Sequence, residues 1–179
     1  PDNSDSRHNR QAVRGLAGPP DLVLLRFVQR RQGLVTAPGN PAGLGGIADL
    51  ARPRLRVVLR QADAGSRALL DRLLADADMD TRMLHTLPEP ARSEEALALA
   101  VLQGSADAGL GIEAVAHRFG LGFVPLHEER LDLAMSRRAA FEPALQRLFA
   151  FFAGDAFSRE AELLRGYRLD GLGEVLYNR

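Results

Sequence analysis

Apolar and polar positions alternate in blocks along this chain. Asp21 to Val28 reads Asp-Leu-Val-Leu-Leu-Arg-Phe-Val. Such a run predicts a strand covered on both faces, as buried parallel strands are. The polar stretch Arg30-Arg31-Gln32-Gly33 separates it from a second short strand, Leu34-Val35-Thr36-Ala37. Residues 38–46 are crowded with Gly and Pro and predict a connection. Ile47–Ala51 predicts one helical turn, stopped by Pro53. Leu55–Arg60 then predicts a strand. The helix after it begins at Gly65-Ser66 and runs to Ala77, with Leu69, Leu70, Leu73 and Leu74 at helical spacing. A weak strand is expected within 82–88.

Ser93 reads as an N-cap, with Glu94 and Glu95 in the first turn of a helix that Gly104 stops after Gln103. Ala106–Leu110 predicts a strand, Ile112–Phe119 a helix, and Gly122–Leu126 and Leu131–Met135 two further strands. Phe141, Ala144, Leu145, Leu148, Phe149 and Phe152 share one helical face. Five of the eight Phe fall between 141 and 157, so this helix is expected to anchor a core. Ser158 is expected to cap a last helix to Leu164, followed by an irregular tail, Gly166–Arg179. Residues 1–20 read as polar and irregular, with a short helix at Gln11–Leu16. Strands alternating with helices over short links predict an α/β fold with mostly parallel sheets.

Composition narrows the chemistry. The 179 residues carry 23 acidic and 23 basic side chains, every basic one an Arg. Without Lys there is no Walker-type phosphate loop and no Schiff-base lysine. Without Cys there is no disulfide, thiolate nucleophile or zinc finger. Zero net charge argues against direct nucleic-acid binding by this segment. No apolar stretch is long enough to span a membrane. The four His show no metal-ligand spacing, Glu128-Glu129 would point to opposite faces of a strand, and no G-x-S-x-G elbow occurs. No catalytic residue and no metal or cofactor site is expected.

Two stretches remain as binding candidates. In Arg60-Gln61-Ala62-Asp63-Ala64-Gly65-Ser66-Arg67 a strand ends, a small-residue loop follows and a helix begins. Helix N-termini present free N–H groups and a positive dipole end, and Ser66, Arg60 and Arg67 add donors. Together these suit an oxyanion or carboxylate; the alternative is an ordinary helix start with surface arginines. Gly104–Gly111 places small residues, among them Asp107 and Gly109, where a ligand could approach a strand end. Tight helix–strand packing explains it equally well.

An ordered series of segments carries a family resemblance. They are Gln32–Pro41, Gly46–Pro53, Arg60-Gln61, Gly65-Ser66-Arg67, Gly104–Gly111 with Ile112-Glu113-Ala114, Phe123–Leu126, and Glu128–Leu133. The series resembles the periplasmic-binding-protein-like domain that follows a helix-turn-helix in bacterial regulators and is fused to molybdopterin-biosynthesis proteins. More distantly it is similar to molybdate-binding proteins of transporters and to LysR-type effector domains. The resemblance implies a two-lobed type II fold, with crossings near Asp49–Leu55 and Leu126–Asp132. Lobe 1 would comprise residues 1–53 and 128–179, and lobe 2 residues 54–127. It implies a ligand held partly by Ser66, Arg67 and the loop before them, with Asn9 and Gln32 matching polar positions of the family; Arg60, Gly65, Asp107 and Gly109 join this candidate set from the strand ends and helix starts above. Where members carry Thr-His, this chain has Ser93-Glu94, whose carboxylate would oppose an anion if it faced the ligand. The family's opening strand–helix–strand unit has no counterpart, which implies an incomplete lobe 1 and either a fragment of a longer chain, the favoured reading, or a diverged protein.

The expected function is a non-catalytic sensing domain of a cytoplasmic bacterial transcriptional regulator, binding a small oxyanion such as molybdate or tungstate. DNA would be reached through a separate helix-turn-helix domain, and a homodimer through lobe edges is an implied state. The alternatives are the receptor of a molybdate- or tungstate-type transporter and an accessory domain of a molybdopterin-biosynthesis protein.

Overall fold

A computed structural model of the chain describes residues 21–178. Asn9, His8 and the short helix at 11–16 lie outside the described residues. Two compact units divide the chain within strands at 30/31 and 128/129: one is Arg31–Glu128, and the other takes its described residues from 21–30 and 129–178. The resemblance places its first lobe boundary at 53/54; the compact units place theirs at 30/31.

In Arg31–Glu128 the strands run in the order β3-β2-β4-β1-β5. They are β1 (Leu22–Thr36), β2 (Arg56–Val57), β3 (His85–Thr86), β4 (Ala108–Ile112) and β5 (Gly122–Ser136). β2 is parallel to β3 and β4, but β1 is antiparallel to β4, with Gln32 opposite Ile112 and Thr36 opposite Ala108. The sheet is therefore mixed, and less parallel than expected. Runs of apolar residues report that both faces are covered, not which way the neighbours point.

Helices cover both faces. On one side α1 (Gly65–Ala75) buries Leu69, Leu70 and Leu74 against Leu34, Val57, Leu110 and Leu50, the last from a 3-10 turn at Ile47–Ala51. On the other, α2 (Glu94–Leu102) and α3 (Glu113–Arg118) bury Leu97, Ala98, Val101, Val115 and Ala116 against Val35 and Val58. Each fully buried Leu stabilises the fold by about 1.5–3 kcal/mol relative to exposure. Ser93 caps α2 by accepting from the Ala96 N–H at 3.0 Å, as its sequence position predicts.

Residues 30–33 do not break β1. Arg30 is neutralised by Glu129 at 2.6 Å and Arg31 by Glu113 at 2.7 Å, so both charges can lie on a strand. Gly33 is required there, because a Cβ would stand 2.1 Å from the Val124 carbonyl oxygen. The polar stretch near 127–130 is likewise internal to β5. The expected strand Leu55–Arg60 shrinks to two ladder residues plus an isolated bridge between Arg60 and Ala91.

In the other unit, α4 (Arg137–Ala140), α5 (Pro143–Phe152) and α6 (Asp155–Leu163) follow β5. Phe27, Phe151, Phe152 and Phe157 form an aromatic cluster with ring centroids 4.9–6.5 Å apart. Phe141 does not join it. It precedes Pro143, which starts α5, and is 73% exposed. α6 begins after Gly154 rather than at Ser158, with Asp155 in its first turn where the dipole favours an acid. The tail is not irregular: β6 (Tyr167–Arg168) and β7 (Val175–Asn178) pair antiparallel with the first half of β1. No helix among the described residues is long and apolar enough to cross a membrane.

Candidate functional site

Beyond β2, two loops run side by side. Ala91 N–H donates to the Leu59 carbonyl at 2.8 Å, and Gln61 N–H donates to the Ala91 carbonyl at 3.2 Å. This pairing brings the starts of α1 and α2 together at the carboxyl end of β2, where open α/β sheets bind ligands. No side chain caps α1. Arg67 and Ala68 N–H donate to the Ala64 carbonyl at 2.9 and 3.1 Å, which leaves the Gly65 and Ser66 N–H groups as the donors at this end, and the helix dipole makes it positive.

Three side chains meet there. Arg60 Nη1 donates to Glu94 Oε1 in a tight ion pair, and Ser66 Oγ donates to the same oxygen at 3.1 Å. Arg60 Nη1 also lies 3.5 Å from Ser66 Oγ, while its Nε donates to the Ala91 carbonyl at 3.2 Å. The Arg60 and Glu94 side chains are only 12% and 20% exposed, so solvent screens their attraction far less than at an open surface. Ser66 is buried. Arg60 Nη2 donates to nothing among the described residues. Glu94 Oε2 is buried and accepts no hydrogen bond. A Cβ on Gly111 would stand 3.0 Å from that oxygen, so Gly111 makes the room that Glu94 occupies.

The remaining expected residues are placed as follows. Gly65 opens α1 beside Ser66, and a Cβ there would meet nothing within 4 Å. Arg67 turns along the helix to Asp71, with Nε at 3.0 and 3.2 Å from its two oxygens, and makes no bond to the cluster. Asp107 stands at the start of β4, toward the amino end of β2. It accepts from the Arg56 backbone N–H at 2.8 Å and from Arg56 Nη2 at 2.7 Å. The hydrogen bond from the Arg56 side chain holds the Asp107 carboxyl below its ordinary range, with the Arg56 backbone N–H and charge adding to the effect. Gly109 serves packing: a Cβ would stand 2.8 Å from Val58 and 3.0 Å from Leu97. Gln32 is fully buried on β1 opposite Ile112. Thus Arg60, Gly65 and Ser66 are brought together, and Arg67, Asp107, Gly109 and Gln32 are not placed against them by any hydrogen bond described. Glu94 joins the cluster from α2. The sequence marks it twice, by its place in the first turn after Ser93 and by standing where the family carries Thr-His, but neither signal shows which donors it meets. No group of three or more His, Asp or Glu among the described residues could hold a metal ion.

The family follows from comparison with known proteins. A model described as a PBP superfamily domain matches residues 1–153. The chain belongs to this family. Its fold is the PBP-like type II fold. The PBP-like domain is 26% identical over 175 residues to the uncharacterized protein YvgK of Bacillus subtilis, covering 98% of this chain. It spans only 56% of that relative's length. Among solved structures it resembles the substrate-binding domain assigned to a molybdenum ABC transporter of Clostridium difficile, with TM-score 0.60 and 13% identity over 93% of this chain and 83% of that one. It also resembles the regulatory domain of Synechocystis CcmR in complex with 2-PG, with TM-score 0.56 and 16% identity over 83% of this chain and 77% of that one.

Proposed function

We propose that this PBP-like domain is a non-catalytic sensor of a small anion, in the class of oxyanions and small carboxylates that includes molybdate and tungstate. The observation that carries this reading is the convergence of Arg60 and Ser66 on one carboxylate oxygen at the uncapped start of α1. A carboxylate already sits where these donors point, which supports their use for an anion. Arg60 Nη2 is the point of first contact. The domain serves a cytoplasmic regulator, and ligand binding shifts a conformational population that a separate DNA-binding segment reads. The likeness to the CcmR regulatory domain supports this assignment. The likeness to a molybdenum transporter's binding domain favours a second reading, a receptor that delivers the same anion to a permease.

The test is isothermal titration with molybdate, tungstate, sulfate, phosphate and glycolate, on the wild type and on Arg60→Met. The reading expects at least one anion to bind tighter than about 1 mM, or about −4 kcal/mol, and expects Arg60→Met to weaken it at least tenfold. Equal binding by both proteins, or none by either, refutes it.

A further inference from the structure

We propose that the outer face of α6 is a self-association surface, and that its occupant is a second copy of this chain packed antiparallel through the same helix. The inference goes beyond the anion-sensing reading and does not rest on it.

Neither α5 nor α6 buries a single side chain fully. One side of α6 faces the aromatic cluster through Phe157, and Ala161, one turn on along that side, is half-buried. On the other side Ala156, Arg159, Glu160 and Leu163 stand at i, i+3, i+4 and i+7, the spacing of one helical stripe, and all four are exposed. Leu163 is 72% exposed. Phe151 of α5, 50% exposed, lines the same open groove of about 550 Å³. Single scattered apolar side chains on a surface need no explanation, but apolar groups gathered in a groove and rimmed by charge mark an interaction surface.

The order of residues within the stripe points to what covers it. A copy packed antiparallel about a twofold axis between 159 and 160 sets Ala156 against Leu163 and Arg159 against Glu160, each contact occurring twice. Every position then meets its complement, a small side chain against a large one and a cation against an anion. A twofold interface requires a patch that is self-complementary in this way. Packed parallel, the same stripe would set Arg159 against Arg159 and Glu160 against Glu160, so the charges select the antiparallel pair. Arg159 Nε donates to the Asp155 carbonyl at 3.3 Å, and among the described residues neither Arg159 nor Glu160 forms an ion pair.

Sedimentation equilibrium of the full chain over about 1–300 μM, the range in which a small interface associates, tests the proposal. Expected is a reversible monomer–dimer equilibrium in wild type. Arg159→Glu and Glu160→Arg should each weaken it about tenfold or more, and the two combined should return it to within about threefold of wild type, because the swapped pair is complementary again. Circular dichroism checks that each variant is folded. Should a charge reversal fail to fold, Leu163→Gln reads the same face: a loss of about tenfold supports the proposal and an unchanged constant overturns it. A wild type that stays monomeric across the range overturns it and leaves the face to another segment or protein. A dimer indifferent to both single substitutions, or single losses that add in the double variant, overturns it as well.

Discussion

The Arg60–Glu94 pair joins the loop after β2 to the first turn of α2, and its strength can be measured directly. The perturbations are Arg60→Met, Glu94→Gln and the double variant. Met keeps most of the aliphatic stem of Arg60 while removing the charge. It leaves Glu94 Oε1 with Ser66 as its remaining donor and Oε2 still without one. Breaking a fully buried pair costs about 3–5 kcal/mol, because one charge is stranded. Here the side chains keep 12% and 20% exposure, so the stranded carboxylate recovers part of its hydration. The expected single-variant cost is then about 2–3 kcal/mol, between the buried and exposed cases. Glu94→Gln should cost less, since the amide oxygen can still accept from Arg60 and Ser66. The coupling from the double-mutant cycle should be about 1.5–3 kcal/mol, the range of a hydrogen bond to a charged group. Urea unfolding at constant m-value reads it, and Arg60→Met should lower Tm by about 4–10 °C in a chain of this length. The coupling should persist largely unchanged in 0.5 M NaCl, unlike that of a screened surface pair. A coupling below about 0.5 kcal/mol, or one that salt abolishes, would mean that the pair behaves as an exposed contact. The reasoning about the site would then fail at its first step.

Further expectations concern the scaffold. Gly33→Ala should destabilise by about 2 kcal/mol or more in urea unfolding, because the new Cβ would press on the Val124 carbonyl at 2.1 Å and backbone cannot swing away; near-neutral stability would contradict the described β1–β5 approach. Leu74→Ala, at a fully buried position on α1, should cost about 2–5 kcal/mol by the same assay. Ser93→Ala should cost about 1 kcal/mol by removing the cap of α2. Asp107 makes stability depend on pH in a defined direction. Its folded carboxyl ionises below the unfolded value, so its contribution is complete above about pH 5 and is lost as pH falls through the lowered folded value. Asp107→Asn should therefore be less stable than wild type at pH 6, with the gap closing toward pH 3; a gap that widens on acidification would contradict the assignment.

The α/β character, both main helices and the Ser93 cap were readable because each rests on a local signal: the spacing of Leu69 to Leu74, or a hydroxyl before two acids. The single strands β1 and β5 were not readable, because partners distant in sequence make Arg30, Arg31 and Glu129 compatible with a strand interior. The antiparallel pairing of β1 with β4 was hidden for a related reason: doubly covered strands look alike in either direction. In the site, Arg60 and Ser66 could be placed by a strand ending just before a helix start. Arg67 shared that local signal, yet its nearest acid, Asp71, lies one helical turn away and takes it. Glu94 stood out as an acid in an expected anion site. That it bonds the very donors assigned to the ligand depends on the pairing of Ala91 with Leu59 and Gln61, a contact that no local pattern announces.

The central claim is that a small anion binds through Arg60 and Ser66 at the start of α1. Backbone amide NMR of the uniformly labelled chain, titrated with phosphate and with glycolate, tests it at the residues themselves. The account predicts saturable shifts of the Gly65, Ser66 and Arg67 amides and of the Arg60 Nε–H signal, all following one dissociation constant and all lost in Arg60→Met. A saturable titration that leaves these four signals unmoved would contradict it.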